Sequence, residues 1–391
     1  MSEVQPSGDD PSMLQPGLVI RPVVGGEEAA TLVQKIFGLT VSSIKELNSY
    51  DDRNFYIKVE EGNKNPHIKE LCPDGYVLKI TNLLDSKKSE IIAAQVEMMC
   101  FLHSRGFKVP KPEKNVTGSH IIYAKISGDQ VGEVGGEHIV RLLTFIPGKI
   151  LCQVPYTAQL FYEGGVYVAR LDNVLKDFTN EALKQRSFMW CMENVPQVSK
   201  FLFAVKDEQR RKLVEEVLQA WQDKVMPLLP VLERGFIHGD FNEQNIIVHS
   251  REGDPSTYHI DGLIDFGDIQ HSCFLFELAI FIMYVMLEVK AMSPNEVAGH
   301  VLAGYLTHRT ILDKEWDILK ECIAARFAQS LVLGAYSYVQ DPGNQYLLVT
   351  ATRGWAVLDT FWHTPKEQLI SQWRNTLKGY QEPLANSSPN K

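Results

Sequence analysis

Hydrophobic and polar positions alternate with a short period in the first third of the chain. Short strand-like runs bounded by polar turns recur at residues 42–47, 55–59, 75–81, 120–126 and 138–146. Runs of this length and bounding predict β-strands. Apolar residues at helical spacing predict helices at 29–37 and 86–105, and the prolines from Pro110 onward end the second one, because proline lacks an amide donor. The pattern predicts a five-stranded antiparallel sheet with few helices.

Beyond residue 147 the apolar residues recur at three- and four-residue spacing, which is typical of amphipathic helices. Helices are predicted at 157–178, 207–229, 275–289, 294–308, 314–338 and 345–362, whereas 185–194 is polar and aromatic without a clear period. The most apolar run, 273–289, contains Glu277 and is short for a bilayer span, so it predicts a buried helix. The fold class is therefore α+β, with a small sheet lobe at 17–146 and a helical lobe at 147–382. The polar tails 1–16 and 383–391 are expected to be disordered and mobile.

Composition narrows the classes of function. The 391 residues are 45% hydrophobic, enough for a large core in two lobes. A net charge of −9 without a basic stripe argues against nucleic acid and favours a small cationic substrate. The six cysteines lack any C-x-x-C spacing, and the N-terminus lacks a secretory signal, so we expect reduced thiols in the cytoplasm and no membrane partner. The oligomeric state stays open.

One pair of segments carries the chemistry: 236–245 (FIHGDFNEQN) and 263–267 (LIDFG). Phosphoryl transfer needs a group that accepts the proton of an attacking hydroxyl, and Asp240 is the candidate. Asn245 and Asp265 offer hard oxygen ligands for Mg²⁺. The runs 246–248 and 262–264 should pair as strands across a turn at 253–256, which would bring both ligands together. We expect His238 to brace the loop by hydrogen bonds.

These segments resemble the catalytic loop and D-F-G signature of protein kinases, with His-Gly-Asp in place of His-Arg-Asp. His-Gly-Asp, four residues and Asn is similar to the aminoglycoside-phosphotransferase and choline-kinase branch of the kinase-like fold. The resemblance implies a protein-kinase-like two-lobe fold and phosphorylation of a small hydroxyl compound. A chance cluster of Asp and Asn in one loop is the alternative, and both signatures occurring in order between apolar runs speak against it.

The same resemblance implies nucleotide-binding residues in the sheet lobe. Lys79, in the run 75–81, resembles the strand lysine that neutralises nucleotide phosphates. An acid of the helix 86–105 would hold this lysine, and Glu97 matches the family pattern of an acid before an apolar run better than Glu90. Either acid can also be an ordinary solvated helix residue.

Two further nucleotide contacts follow from position. The turn at 48–54 should cover the phosphates, but it contains no glycine, and Asn54 is its candidate contact; an ordinary solvated turn is the alternative. Main-chain groups of Thr144, Phe145 and Ile146 occupy the place where kinases read the purine edge. Backbone recognition leaves no side-chain signature, so ATP and GTP stay open on the residues alone.

Substrate contacts are predicted from charge. A substrate amine needs carboxylates to replace its lost hydration, and Asp268 and Glu277 are the acids nearest the metal ligands. Trp190 is a candidate pocket residue. Glu277 can instead pair inside the lobe, and Trp190 can pack under a loop. An amino-acid substrate also requires a cation for its carboxylate, for which the unplaced candidates are Arg53, Arg186 and Arg353.

From about Leu18 to Pro383 the chain resembles eukaryotic amino-acid kinases of this family. That resemblance implies a small amino-acid substrate, Mg²⁺ and GTP as phosphoryl donor, with ATP not excluded. Kinases of choline, ethanolamine or homoserine are the second interpretation, although a choline site calls for an aromatic box. A non-catalytic binding protein is the third interpretation. The glycine-free turn favours it, and four retained residues argue against it: Lys79, Asp240, Asn245 and Asp265.

Overall fold

The computed structural model describes residues 20–126, 136–289, 292–340, 342–343 and 349–381. The tails predicted at 1–16 and 383–391 lie outside the described residues. The chain divides into two compact units. Unit 1 holds the described residues of Met1–Pro147, Asn180–Met189 and Gln340–Leu347, and unit 2 holds those of Gly148–Thr179, Trp190–Val339 and Leu348–Lys391. The domain boundaries at 17–146 and 147–382 stay a proposal.

Unit 1 is built on one antiparallel sheet. Its strands are β1 Val41–Leu47, β2 Arg53–Val59, β3 Tyr76–Ile80, β4 Pro112–Glu113, β5 Ile122–Lys125 and β6 Glu137–Thr144. Their order is β1-β2-β3-β6-β4, and β5 also pairs with β6. The five predicted strands are present. The sixth, β4, was not predicted because its two residues, one of them a proline, leave no alternating pattern.

Helices cover this sheet at several positions. They are α1 Gly26–Leu32, continued by a π-helical turn at Val33–Phe37, with α2 Leu83–Ser86 and α3 Ser89–Ser104. Ala29 and Val33 of the first segment pack in one core with Phe55 of β2 and Leu78 of β3. This packed core fixes the middle strands, and with them the candidate residues Asn54 of β2 and Lys79 of β3.

Unit 2 is mostly helical. Its helices are α4 Ala158–Leu175, α6 Glu208–Ala220, α7 Phe274–Glu288, α8 Pro294–Tyr305, α9 Asp313–Trp316, α10 Leu319–Gln340, α11 Ala351–His363 and α12 Lys366–Gln381. Helix α5 Glu181–Lys184 lies between α4 and α6 in the sequence and belongs to unit 1. A 3₁₀ helix runs from Met192 to Ala204. Helix α12 was not predicted, and residues 345–348 of the helix predicted at 345–362 lie outside the described part. Helix α7 is buried as expected.

Short strands in unit 2 flank the two segments that carry Asp240 and Asp265. They are β7 Lys149–Ile150, β8 Arg234–Ile237, β9 Ile246–Arg251, β10 Asp254–Leu263 and β11 Gln270–Cys273. Strand β9 lies between β10 and β7, and β8 pairs with β11. The segment with Asp240 therefore follows β8, which pairs with β11. The segment with Asp265 follows β10, which pairs with β9. In the part of the chain that the structure describes, every helix is too short or too polar to cross a lipid bilayer.

Candidate active site

The loop between β8 and β9 owes its shape to two of its own residues. The Asn242 side-chain oxygen accepts hydrogen bonds from the amides of Gln244 (2.8 Å) and Asn245 (3.1 Å), which closes an Asx turn. Gly239 has φ +79°, and a Cβ there would lie 2.4 Å from the carbonyl oxygen of Asp268. Only glycine fits both this backbone conformation and this approach.

Asp240 is held at both of its carboxylate oxygens. Asn245 Nδ2 donates to Asp240 Oδ2 (2.9 Å) and to its main-chain oxygen (3.0 Å). Arg326 Nη2 donates to Asp240 Oδ1 (3.0 Å). The Asp240 side chain remains 25% exposed. A carboxylate has about four lone-pair sites, so this one can still accept a proton from an approaching hydroxyl.

Strand pairing brings Asn245 and Asp265 together, as the sequence predicted. Leu263 is paired with Ile246, and the amide of Ile264 donates to the carbonyl oxygen of Asn245 (2.9 Å). Asp265 follows at once, with φ +59°, a left-handed conformation that is found at no other described residue except glycines. Its carboxylate accepts from the Gly267 amide (3.2 Å). Strain of this kind is concentrated at functional sites and costs about 1–3 kcal/mol.

The oxygens offered by Asn245 and Asp265 fit a magnesium ion. Because Asn245 Nδ2 donates to Asp240, its carboxamide oxygen is the group left to act as a ligand. No group of three or more His, Cys, Asp or Glu side chains within the described ranges is arranged to hold a metal. Mg²⁺ characteristically takes one or two protein oxygens and completes its octahedron with phosphate and water. One carboxylate and one carboxamide match that preference.

His238 braces the loop, as expected. Its ring is fully buried; Nε2 lies 3.1 Å from the carbonyl oxygen of Ile264, and Nδ1 lies 3.3 Å from the amide of Asp240. The amide must donate, so Nδ1 accepts and Nε2 carries the proton. Burial lowers the pKa of His238, although the carboxylates of Asp240 and Asp265 oppose that shift. The neutral ring therefore ties the loop to the strand end at Ile264.

Glu277 supports the same loop through a hydrogen bond from the buried interior of unit 2. It lies in the first turn of α7, is fully buried, and Oε2 accepts from the Gly239 amide (3.0 Å). Burial raises the pKa of Glu277 to about 7, although backbone hydrogen bonds from Gly239 and His238 oppose the shift. The predicted substrate role of Glu277 is wrong, because no solvent-accessible surface is left for a ligand.

The other two substrate candidates remain partly accessible. Asp268 is half-buried, and its carbonyl oxygen accepts from Gln270 Nε2 (3.2 Å). Trp190 is half-buried, and the Arg326 guanidinium lies 5.0 Å from its ring centroid. The Trp190 carbonyl oxygen accepts from Arg326 Nη1 (3.4 Å). One face of the Trp190 ring is thus occupied by Arg326, and the roles of Asp268 and Trp190 toward a substrate stay predictions.

In unit 1, Lys79 is ion-paired with an acid that the sequence did not single out. Lys79 Nζ lies 3.2 Å from Asp52 Oδ2, with side-chain exposures of 9% and 16%. Asp52 Oδ1 accepts from both the amide (2.8 Å) and the side chain (3.0 Å) of Asn82. Asp52 is therefore fixed at the end of the turn before β2. A carboxylate placed in this way can direct the lysine as a helix acid would.

The predicted ion pair between Glu97 and Lys79 is not formed. Glu97 is exposed and accepts from Asn180 Nδ2 (2.9 Å). Helix α3 instead turns Gln95 toward the sheet, where it accepts from Arg141 Nη1 (2.7 Å). At 3.6 residues per turn, positions two apart lie on nearly opposite faces of a helix. Burying Gln95 therefore exposes Glu97, and it exposes Glu90 as well.

The remaining nucleotide candidates of unit 1 are only partly available. Asn54 lies opposite Lys79 in the β2–β3 register, and its buried Oδ1 has no hydrogen-bond partner within the described residues. The amide of Thr144 donates to Lys111 (2.9 Å) and that of Phe145 donates to Gly75 (3.0 Å). These two N–H groups are hydrogen-bonded within unit 1, so recognition of a purine by Thr144 or Phe145 would fall to their carbonyl oxygens. All three residues stay predictions for main-chain contact with the nucleotide.

The three arginines proposed for a substrate carboxylate are engaged elsewhere. Arg53 donates to the carbonyl oxygen of Pro22 (3.1 Å) and pairs with Glu46, Arg186 stacks on Phe188 (4.0 Å), and Arg353 donates to Val289 (2.8 Å). Sequence reasoning missed Arg326, which is 1% exposed in a run of apolar helix residues. A lone charged residue in such a run is a usable signal, because arginine is almost never buried without a partner.

Comparisons with known proteins identify chains of similar sequence and a solved structure of similar fold. Hydroxylysine kinase from Bos taurus is 35% identical over 372 residues, covering 93% of this chain and 96% of the relative. Hydroxylysine kinase from Danio rerio is 31% identical over 369 residues, covering 93% and 98%. The structure of an amicoumacin kinase in complex with AMP-PNP, Ca²⁺ and Ami has a TM-score of 0.63 at 18% identity, covering 88% of this chain and 97% of that one.

The solved structure shows the same fold, so the predicted α+β fold with an antiparallel-sheet unit and a mostly helical unit is confirmed. A family model described as "Phosphotransferase enzyme family" matches residues 43–321. That range includes Lys79 of unit 1 as well as the loop with Asp240 and the strand end with Asp265. The chain belongs to the phosphotransferase enzyme family.

Proposed function

We propose that the protein is a kinase that transfers the γ-phosphoryl group of GTP to the side-chain hydroxyl of 5-hydroxy-L-lysine, giving 5-phosphohydroxylysine and GDP. The observation that carries the reaction type is the Asp240 carboxylate, fixed by Asn245 and Arg326 yet still exposed. The substrate is supported by hydroxylysine kinases at 31–35% identity that match nearly the full chain.

Asp240 acts as the proton acceptor. As the substrate oxygen forms its bond to the γ-phosphorus, the hydroxyl proton passes to the Asp240 carboxylate, and the bond between the γ-phosphorus and the bridging oxygen breaks to release GDP. The transition state of phosphoryl transfer is loose, so the base needs correct placement more than high basicity. Holding reactants in line supplies much of the rate, and the hydrogen bonds to both Asp240 oxygens serve that placement.

In this proposal, positive charges hold the phosphates of the nucleotide. Asn245 and Asp265 would bind Mg²⁺, which when present neutralises the negative charge of the nucleotide phosphates. Lys79, directed by Asp52, is the proposed phosphate ligand of unit 1. Asn54 and the main-chain groups of Thr144, Phe145 and Ile146 are retained as further nucleotide contacts. Asp268 and Trp190 are retained as substrate contacts.

The choice of GTP over ATP follows the family resemblance of the sequence. Solved proteins of the same fold include one bound to AMP-PNP and one bound to GDP, so neither donor is favoured by fold. We place the reaction in lysine-related amino-acid catabolism in the cytoplasm. All six cysteines are free thiols, which agrees with a reducing compartment.

A substrate panel tests the proposal. Purified protein with Mg²⁺ is given 5-hydroxy-L-lysine, choline, ethanolamine or homoserine, each with GTP and with ATP, and nucleoside diphosphate release is measured. We expect 5-hydroxy-L-lysine with GTP to give the highest kcat/KM. Equal turnover of choline and hydroxylysine would refute the substrate, and higher kcat/KM with ATP would refute the donor. A kcat of Asp240→Asn equal to that of the unsubstituted protein would refute the reaction chemistry.

A further inference from the structure

Arg326 is a buried cation in the middle of a helix core. It lies in α10 with 1% of its surface exposed, and its neighbours Ala325 and Phe327 are fully buried. Taking a guanidinium out of water is costly unless charge and hydrogen bonds compensate. The partners of Arg326 therefore indicate what the residue is for.

Both ends of the guanidinium are engaged in different directions. Nη2 donates to Asp240 Oδ1 (3.0 Å), while Nη1 donates to Gln329 Oε1 (3.0 Å) and to the Trp190 carbonyl oxygen (3.4 Å). The guanidinium is planar and its donors form a rigid fork, so fixing one branch also directs the other. Gln329 is itself fully buried and donates to Cys191 (3.2 Å).

Aromatic rings hold the same group on its faces. The guanidinium carbon lies 5.0 Å from the ring centroid of Trp190 and 5.4 Å from that of Tyr284. Such cation–π contacts gain strength when the cation is desolvated. Burial disfavours the charged form, but Tyr284, Asp240 and Asp268 outweigh it and raise the pKa of Arg326. The group is therefore a permanent positive charge in one orientation.

Asp240 needs such a support because it lies on a loop and is partly exposed. Among the described residues, Asn245 contacts Oδ2 and the main-chain oxygen of Asp240, and His238 contacts its amide, which leaves Oδ1 dependent on Arg326. Two supports on two oxygens define the plane of a carboxylate, whereas one support lets it rotate. Through Arg326, the buried helix α10 thus holds the proton acceptor Asp240 in one orientation.

We propose that Arg326 is the positioning residue of Asp240, anchored by Gln329 and by the rings of Trp190 and Tyr284. This inference rests on the proposed kinase function. Nη1 and Nη2 donate to the protein itself and Nε is buried, so the inference gives Arg326 no part in binding the carboxylate of the substrate. Replacing Arg326 lowers kcat and leaves the KM for hydroxylysine nearly unchanged.

The test compares Arg326→Lys with Arg309→Lys. Arg309 is also buried in unit 2, pairs with Glu233 and lies 4.2 Å from the Phe274 ring, but it contacts no residue of the loop 238–245 in the described structure. Lysine keeps the charge and lacks the fork. We expect kcat of Arg326→Lys to fall about 100-fold with KM changed less than about threefold, because small misplacements of catalytic groups have such effects. Arg309→Lys should lower Tm without changing kcat.

A second variant covers the case in which Arg326→Lys does not fold. Gln329→Leu removes the anchor of Nη1 without touching Asp240, and it should lower kcat about tenfold with KM unchanged. Unchanged GTP binding by calorimetry establishes that each variant is folded. A rise in KM at constant kcat, or kcat values equal to those of the unsubstituted protein, would overturn the inference. Absence of turnover by the unsubstituted protein would instead refute the proposed function.

Discussion

Replacing Glu277 by glutamine should change how the stability of the protein depends on pH. Glu277 is fully buried beneath the loop that carries Asp240, and its pKa is raised from an ordinary value of 4.5 to about 7 by burial. The folded protein therefore binds a proton at Glu277 more tightly than the unfolded chain does. The stabilisation from this proton is complete below pH 4.5 and is lost as pH rises toward 7.

The size of the effect follows from the two pKa values. At about 1.4 kcal/mol per pH unit, the interval from 4.5 to about 7 corresponds to about 3 kcal/mol. Glutamine does not titrate, and its carboxamide oxygen can still accept from the Gly239 amide. The unfolding free energy of Glu277→Gln relative to the unsubstituted protein should thus rise by about 3 kcal/mol between pH 4.5 and pH 8.

Urea unfolding at several pH values measures this difference. The comparison of two pH values cancels any constant cost of the substitution, such as the new buried amide protons. Glu90→Gln serves as the control, because Glu90 is likewise in the first turn of its helix, α3, but is exposed. A difference between Glu277→Gln and the unsubstituted protein that stays constant from pH 4.5 to pH 8 would refute the reasoning.

Three further substitutions test separate parts of the site. Asp240→Asn should lower kcat by about 10³-fold with GTP affinity nearly unchanged, as measured by turnover and calorimetry, because only the proton acceptor is lost. Asp52→Asn should raise the KM for GTP about tenfold, since Lys79 loses its carboxylate partner, whereas Glu97→Gln should not; the reverse result would restore Glu97 as the partner. Gly239→Ala should cost more than about 2 kcal/mol in urea unfolding, because its φ of +79° and its 2.4 Å approach to a carbonyl oxygen exclude a Cβ.

The sequence by itself determined the parts of this protein that depend on neighbouring residues. The pairing of 246–248 with 262–264 across a short turn is local, so the order of residue types predicts it. The same holds for the five main strands of unit 1. Helix α12 was not predicted, although its residues are contiguous. Only two of its residues, Leu369 and Trp373, are buried, and its surface is polar.

Only the tertiary structure decided which distant groups meet. Arg326 and Asp240 are 86 residues apart, and their contact depends on the packing of α10 beneath the loop. Lys79 is paired with Asp52 and not with Glu97 because the sheet selects which face of α3 is buried. Glu277 supports the loop because the surrounding residues of helix α7, 274–287, are all buried. Periodicity indicates that a helix has a buried face, but long-range packing chooses the residues that each buried charge contacts.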